Sequence, residues 1–286
     1  MFRTIFVSLS VAVLLPATLF AQRSSGSEVE DQEKSFRVNT DSPFRLRVEV
    51  DAGEVRVAPG SSSNEARVRL TYDADQFHHS FRFNEQRNSL EILFDKDKWL
   101  KHDDGHMRAE LDVELPTAAD LDLDFEITAG EVEMQLGGLR VANFALETVA
   151  GEVNVDFEQP NKIEMETLDL NTKIGESNFR RLGNARFRNA EIDGGIGELT
   201  IDFSGSMLKD ASAAVDLDIG ETKVILPRDA GAKVSVSKFL FLSHIDMPFE
   251  MQKEGRYYYS QNYNESSRNF QLRIDAGIGE CRIENE

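Results

Sequence analysis

Ala150-Gly151-Glu152-Val153-Asn154-Val155 contains the motif that the chain repeats, a Gly-Glu pair followed by a triplet whose outer positions are mostly apolar. The pair occurs seven times, at Gly53-Glu54, Gly130-Glu131, Gly151-Glu152, Gly175-Glu176, Gly197-Glu198, Gly220-Glu221 and Gly279-Glu280. From Gly130 to Gly220, successive copies are 21 to 24 residues apart. A repeat of this length is typical of a solenoid in which each repeat forms one coil.

Apolar and polar residues alternate on both sides of the motif glycine. Leu121, Leu123 and Phe125 precede Gly130, and Val132 and Met134 follow it. This period of two indicates strands with one buried face, and glycine suits a tight bend between them. The sequence therefore predicts an all-β fold, a right-handed parallel β-helix-like solenoid with coils of about 21–24 residues and irregular or hairpin blocks near both ends.

The N-terminus has the features of a secretory signal peptide. Arg3 is followed by an apolar stretch, and residues 1–21 end on the small residue Ala21. The alternative is an uncleaved membrane anchor, although the apolar core is shorter than the ~20 residues that a membrane span needs. No later stretch is long and apolar enough to span a membrane. The mature protein is therefore expected to be exported, to the periplasm or the cell surface.

The remainder is interpreted as a short leader and one domain. Residues 22–35 are polar and charged, which predicts a disordered leader. Residues 36–286 are predicted to form a single β-solenoid domain. Its parts are an N-terminal hairpin block (61–116), the regular Gly-Glu repeats (121–226) and a C-terminal block (227–286).

Charge and cysteine content exclude several classes of function. The net charge of −19 becomes −20 without the signal peptide, because Arg3 is its only charged side chain. Such a charge argues against nucleic acid and anionic membranes as partners. The only cysteine, Cys281, occupies a motif position that holds Val or Leu in four of the other six copies, and is interpreted as a buried small residue rather than a reactive thiol.

Two parts of the chain resemble known families. Phe44–Val57, a variable hairpin, Leu115-Pro116 and the serial Gly-Glu units resemble the bacterial putative-adhesin β-solenoids. Gly220–Pro227, the Tyr-rich stretch and Phe270–Ile283 resemble the related toast-rack domains, similar to the C-terminal domain of the LiaF-type cell-wall-antibiotic response proteins. The resemblance implies a β-helix-like fold in an extracytoplasmic protein linked to adhesion or envelope stress. It supplies no catalytic residues and no cofactor.

The motif glutamates are the first candidate site. In stacked coils, Glu131, Glu152, Glu176, Glu198 and Glu221 would form a ladder with a spacing of about 4.8 Å. Such a ladder could bind divalent cations, with Ca²⁺ as the candidate ion, because Ca²⁺ prefers oxygen ligands. The alternative is that each carboxylate bonds to the backbone at its own bend or keeps this face hydrated.

Two other clusters are weaker candidates. Tyr257, Tyr258, Tyr259 and Tyr263 could form an aromatic platform for a sugar or a peptide, or could pack in part against the core because alternate strand residues face opposite ways. His102-Asp103-Asp104-Gly105-His106 has side chains able to bind a metal but is expected to be a solvated loop. No common hydrolase or phosphate-binding motif is present.

The resulting hypothesis is an exported, non-enzymatic solenoid that acts as an adhesin-like or scaffold module at the bacterial cell envelope. Its partner would be an envelope protein or a surface glycan, and exposed end coils could support a homodimer. One alternative is a regulatory component of an envelope-stress response that acts through a membrane partner. Another is a polysaccharide-active β-helix enzyme.

Overall fold

The computed structural model describes residues 29–96, 108–238 and 242–286. The predicted signal peptide and the cluster from His102 to His106 lie outside these ranges. The strands are β1 (Val29–Arg37), β2 (Phe44–Val50), β3 (Gly53–Pro59), β4 (Glu65–Asp73), β5 (Phe77–Asn84), β6 (Ser89–Lys96), β7 (Ala109–Leu115), β8 (Leu121–Gln135), β9 (Val141–Asp156), β10 (Met165–Arg180), β11 (Phe187–Asp202), β12 (Ala211–Leu226), β13 (Gly231–Lys238), β14 (Ser243–Asp246), β15 (Gln252–Glu254), β16 (Tyr257–Tyr259) and β17 (Asn269–Asn285). One 3₁₀ turn, Leu182–Ala185, joins β10 to β11.

The long strands β8 to β12 stack in parallel in chain order, and β17 continues the stack beside β12. Their register places equivalent positions of successive repeats opposite one another, so that Gly130 pairs with Gly151 and Gly151 with Gly175. The seven motif glycines thus form one column from Gly53 to Gly279. This arrangement confirms the predicted all-β solenoid.

Each long strand bends at its motif glycine. In β8, Leu121, Phe125 and Ile127 are buried before the bend and Val132 and Met134 after it, while the corner residues between them face outward. The motif glycines have φ values between +136° and +148°, a backbone conformation that residues with a Cβ rarely adopt. We call the strand segments before and after the motif glycine the two arms of a coil. The bend turns the apolar faces of both arms toward a common core.

The core lies between the two arms and consists mainly of Val, Leu, Ile and Phe side chains. Its largest fully buried members include Phe44, Phe125, Phe144, Phe157, Phe179, Phe203 and Phe270. Asn161 closes the coil between β9 and β10 and is 0% exposed. Its side chain accepts a hydrogen bond from the Val141 N–H (2.8 Å) and donates to the carbonyl oxygens of Val141 (2.7 Å), Ile163 (3.0 Å) and Ala185 (3.2 Å). The amide thereby ties together three segments of neighbouring coils.

At the N-terminal end, the chain doubles back on the stack. β6 and β7 run parallel to β2 and β3, on the side away from β8. β5 pairs antiparallel with β6, and β4 with β7. A turn at residues 85–88 separates β5 from β6, within the hairpin block expected from the sequence. The strands β4 to β7 therefore form the terminal layers of the solenoid.

The predicted leader requires a correction. Within residues 22–35, the segment from Val29 onward belongs to β1, which pairs antiparallel with β4. β1 buries almost no side chain, so hydrophobic alternation could not reveal it. Its backbone completes the edge of β4, and Glu30, Asp31 and Glu33 accept hydrogen bonds from Tyr72 (2.9 Å), Thr71 (2.7 Å) and Arg69 (3.1 Å).

At the C-terminal end, the last strand lies inside the stack. β17 is flanked by β12 on one side and by β13 and β14 on the other. β16 pairs antiparallel with β13, and β15 with β16. Across the three described ranges, no helix is long and apolar enough to cross a membrane.

Candidate functional site

The motif glutamates form a single in-register row on the outer surface. Each one pairs with its equivalent in the next coil, from Glu54 through Glu131, Glu152, Glu176, Glu198 and Glu221 to Glu280. Glu110 of β7 extends the row at one end, and His244 of β14 lies opposite Glu280 at the other. The geometry of the predicted ladder is therefore present.

Side chains two residues further along the chain engage four of these glutamates. Asn154 Nδ2 donates to Glu152 Oε1 at 3.0 Å, and Asn178 Nδ2 donates to Glu176 Oε1 at 3.4 Å. The same relationship joins Arg56 to Glu54 and Arg282 Nη2 to Glu280 Oε1 (2.7 Å). Both residues of each pair face outward because strand side chains alternate. These donors reduce the repulsion along the row, and the sequence analysis did not identify them.

Cation binding by this row stays a prediction. Among the residues that the structure describes, no group of three or more His, Cys, Asp or Glu side chains could hold a metal ion. The carboxylates instead present one group per coil. Any cation would lie between coils, bridging neighbours such as Glu152 and Glu176.

A second acidic row runs along the arm before the bend. It contains the carboxylates of Glu126, Glu147, Asp193, Asp216 and Asp275, and the neutral residue Asn171 lies between Glu147 and Asp193. Partial burial, followed by the carboxylates of Asp216 and Asp169, raises the pKa of Asp193 above its ordinary value of 3.8. The outer face is thus acidic on both sides of the corner.

Three of the four candidate tyrosines share one face. Lys233 and Ser235 of β13 point outward and pair with Tyr259 and Tyr257, whereas buried Val234 pairs with Tyr258, which packs against the core. Tyr263 joins the outer group, because its ring centroid is 4.9 Å from that of Tyr259. The tyrosine face therefore consists of Tyr257, Tyr259 and Tyr263, and Tyr258 is not part of it.

Basic side chains surround this tyrosine face. Lys233 Nζ lies 4.3 Å from the ring centroid of Tyr257 and 5.9 Å from that of Tyr259. Arg256 contacts the Tyr257 ring and donates a hydrogen bond of 2.6 Å to its hydroxyl group. A groove of about 460 Å³ is lined by Lys233, Arg256, Tyr257 and Arg273, together with residues that include Ser212, Ser235 and Gln271. Arg273 also forms an ion pair with Asp275 at 2.8 Å.

The sequence analysis missed this basic groove because its residues come from four separate strands and a turn. β13 pairs with β16 and also with β17, and both pairings join segments that are distant in the sequence. No residue spacing in the sequence predicts these strand pairings. The groove brings cationic and aromatic groups together in a protein with a formal net charge of −19.

An exposed apolar row was also missed. Ile174, Ile196, Ile219 and Ile278 immediately precede motif glycines and lie opposite one another in successive coils. The signal was available, because Ile-Gly-Glu occurs four times in the sequence.

Cys281 lies where its motif position predicted. It is opposite Thr222 in β12 and Ile245 in β14, and is only 2% exposed. Burial raises the pKa of its thiol to about 11. A thiol that stays protonated at neutral pH is a poor nucleophile.

Two solved structures show a limited similarity to this chain. A crystal structure of a putative cell adhesion protein from Clostridium sporogenes shares 13% identity, with 90% of this chain and 100% of that chain covered and a TM-score of 0.47. A crystal structure of a putative adhesin from Bacteroides fragilis shares 12% identity, with 89% and 97% covered and a TM-score of 0.43. A search of curated protein sequences finds no significant match.

Two family models match consecutive parts of the sequence. The C-terminal domain of LiaF, described as a cell wall-active antibiotics response domain, matches residues 173–283. The N-terminal domain of toast_rack matches residues 24–167, just over half of the chain. The chain therefore belongs to the toast-rack family.

Proposed function

We propose that this chain is an exported, non-enzymatic module that binds a glycan of the bacterial cell envelope. Family membership and the predicted signal peptide support a position outside the cytoplasm. The strongly acidic mature chain remains soluble there and does not adhere to anionic membranes by charge.

The tyrosine face with its basic groove is the observation that carries this proposal. Tyrosine rings stack against the C–H faces of sugars while their hydroxyl groups form hydrogen bonds. Lys233 and Arg256 make no ion pair with any carboxylate of the described residues, so both can pair with acidic groups of a ligand. An acidic polysaccharide combines both requirements, since it carries sugar rings and carboxylate or phosphate groups.

Cosedimentation with isolated cell-wall glycan tests the proposal. The chain from residue 22 onward should pellet with the glycan, and Tyr257→Ala/Tyr259→Ala should reduce the bound fraction at least tenfold. Tyr258→Phe is the matched control, because this ring faces the core, and it should bind as the wild type does. Equal binding by all three proteins would exclude the tyrosine face as the contact.

A second candidate function is regulation of an envelope-stress response through a membrane partner. The match of residues 173–283 to the LiaF C-terminal domain favours it. In-cell crosslinking followed by purification should then recover a membrane sensor with the chain. Deletion of the gene should change the transcriptional response to cell-wall-active antibiotics. An unchanged response would leave the glycan-binding role as the remaining proposal.

A further inference from the structure

Five large apolar side chains form an exposed row at the corner of the solenoid. We call this the corner row: Ile174 (54% exposed), Ile196 (51%), Ile219 (48%), Ile278 (40%) and Leu242 (44%). The four isoleucines pair in register along β10, β11, β12 and β17. Leu242 continues the row, because Ser243 lies opposite Gly279 and the Leu242 carbonyl accepts a hydrogen bond from the Gly279 N–H at 3.2 Å.

The corner row is long enough to form a docking surface. Neighbouring coils are about 4.8 Å apart, so five side chains span roughly 19 Å. Isolated exposed apolar residues are ordinary, whereas a continuous exposed strip marks an interaction surface. Beside its middle, a groove of about 510 Å³ is lined by Ile196, Ile219 and Ile278 together with polar residues.

Carboxylates border the corner row on both sides. Glu176, Glu198, Glu221 and Glu280 follow its isoleucines by two residues. On the other side, Asp216, Asp218 and Asp275 line the groove, and Lys238 is the only basic lining residue among those that the structure describes. The surface therefore presents an apolar strip between two acidic margins.

This charge pattern determines which partner fits. A second copy of the chain would bring two acidic margins together, and an anionic lipid surface would be repelled by both of them. A complementary partner carries an apolar strip bordered by Lys or Arg. In an α-helix, one apolar side chain per turn recurs every 5.4 Å, close to the spacing of about 4.8 Å between coils.

We propose that the corner row binds a basic amphipathic helix of a partner polypeptide, about 13 residues long, that lies parallel to the solenoid axis. The proposal goes beyond the glycan-binding role proposed above and does not depend on it. The residues are different, because the corner row and the tyrosine face share no side chain.

A synthetic peptide provides the probe. A 14-residue helical peptide with Leu at positions 2, 6, 9 and 13 and Lys on the flanking positions is titrated against the chain from residue 22 onward, with fluorescence anisotropy as the readout. Ile196→Ser/Ile219→Ser should weaken its binding at least tenfold. Val29→Ser/Leu208→Ser is the matched control, because these residues are 45% and 44% exposed and lie outside the corner row, and it should bind as the wild type does.

Two control experiments distinguish binding at the corner row from nonspecific charge attraction. A peptide of the same composition, scrambled to remove its apolar strip, should bind at least tenfold more weakly than the designed peptide. Glu198→Gln/Glu221→Gln should weaken binding of the designed peptide and reduce its dependence on salt. Equal binding of the designed and scrambled peptides, or unchanged binding by Ile196→Ser/Ile219→Ser, would overturn the proposal. Stronger binding to vesicles of anionic phospholipid than to the peptide would also overturn it.

Cosedimentation with glycan shows whether a negative result contradicts the corner-row proposal or the proposed glycan binding. The Ile196→Ser/Ile219→Ser variant should retain wild-type glycan binding and wild-type melting temperature, because both side chains are exposed. Absent peptide binding combined with intact glycan binding would reject only the corner-row proposal.

Discussion

The carbonyl oxygen of Gly151 lies 1.8 Å from the position that a Cβ on Gly175 would occupy. The same distance separates the Gly130 carbonyl oxygen from a Cβ on Gly151, and the Gly175 carbonyl oxygen from a Cβ on Gly197. Glycine is therefore required at the motif position for two reasons. Its φ is positive, and the backbone of the preceding coil leaves no space for a Cβ. Neighbouring coils can approach closely at the corner only because both lack a side chain there.

Substitution of a motif glycine should be severely destabilising. We expect Gly175→Ala to lower the free energy of unfolding by more than about 4 kcal/mol, because the Cβ overlaps backbone that cannot move independently. Gly255→Ala is the control: its φ is +61° with no atom within 4 Å of the added Cβ, so it should cost about 1 kcal/mol. Urea unfolding measures both values. Similar losses for the two variants would contradict the role of stacking.

Asn161 should stabilise the solenoid far more than an exposed asparagine such as Asn154 does. We expect Asn161→Ala to lower the free energy of unfolding by about 3 kcal/mol, because buried backbone groups of Val141 and Ala185 lose their partner. Asn154→Ala, which removes one exposed hydrogen bond to Glu152, should change it by less than about 0.5 kcal/mol. Thermal unfolding of the two variants compares them directly, and equal losses would refute the bracing role.

The acidic row before the bend should make stability depend on pH. Because the pKa of Asp193 is raised in the folded state, folded protein binds protons more tightly than unfolded protein does. Stability is therefore lost as the pH rises from about 3.8 through the folded-state pKa, and the penalty persists above it. Asp193→Asn should raise the melting temperature at pH 7, with a difference from wild type that disappears below about pH 3.8.

Asp229→Asn supplies the control for that experiment. Asp229 is exposed in a turn outside the acidic rows, and the substitution removes the same charge. It should leave the melting temperature nearly unchanged across the pH range. A gain equal to that of Asp193→Asn would show that net charge, rather than the row, determines the effect.

Calcium distinguishes the two interpretations of the glutamate row. A cation that binds only folded protein at one hundred times its dissociation constant adds about 2.7 kcal/mol of stability. The hydrogen bonds from Asn154 and Asn178 favour a structural role for Glu152 and Glu176, so we expect similar melting temperatures in EDTA and in millimolar Ca²⁺. A rise of several degrees that Glu152→Gln/Glu176→Gln abolishes would instead establish a cation surface.

The regular part of the fold could be predicted from sequence because one motif encodes both the bend and the register. Gly151 and Gly175 require each other, so the motif spacing directly gives the stacking of β9 on β10. β1 escaped prediction because it is held mainly by backbone pairing and polar side chains, and Phe36 is its only residue packed against the described core.

The candidate site was only partly predictable for a related reason. The sequence singled out Tyr257 and Tyr259, and strand alternation alone separates them from Tyr258. Lys233 joins them through the pairing of β13 with β16, and Arg273 through the insertion of β17 beside β13; both are long-range pairings that leave no local pattern. The corner row, by contrast, was visible as a repeated Ile-Gly-Glu and required only that its isoleucines be recognised as facing outward.

Hydrogen–deuterium exchange with and without acidic cell-wall glycan tests glycan binding at the tyrosine face most directly. We predict that glycan slows exchange in β13 and β16, around Lys233 and Tyr257, and leaves the corner around Gly197 unchanged. Slower exchange at the corner alone, or no change anywhere at a saturating glycan concentration, would contradict the assignment of the tyrosine face as the glycan-binding site.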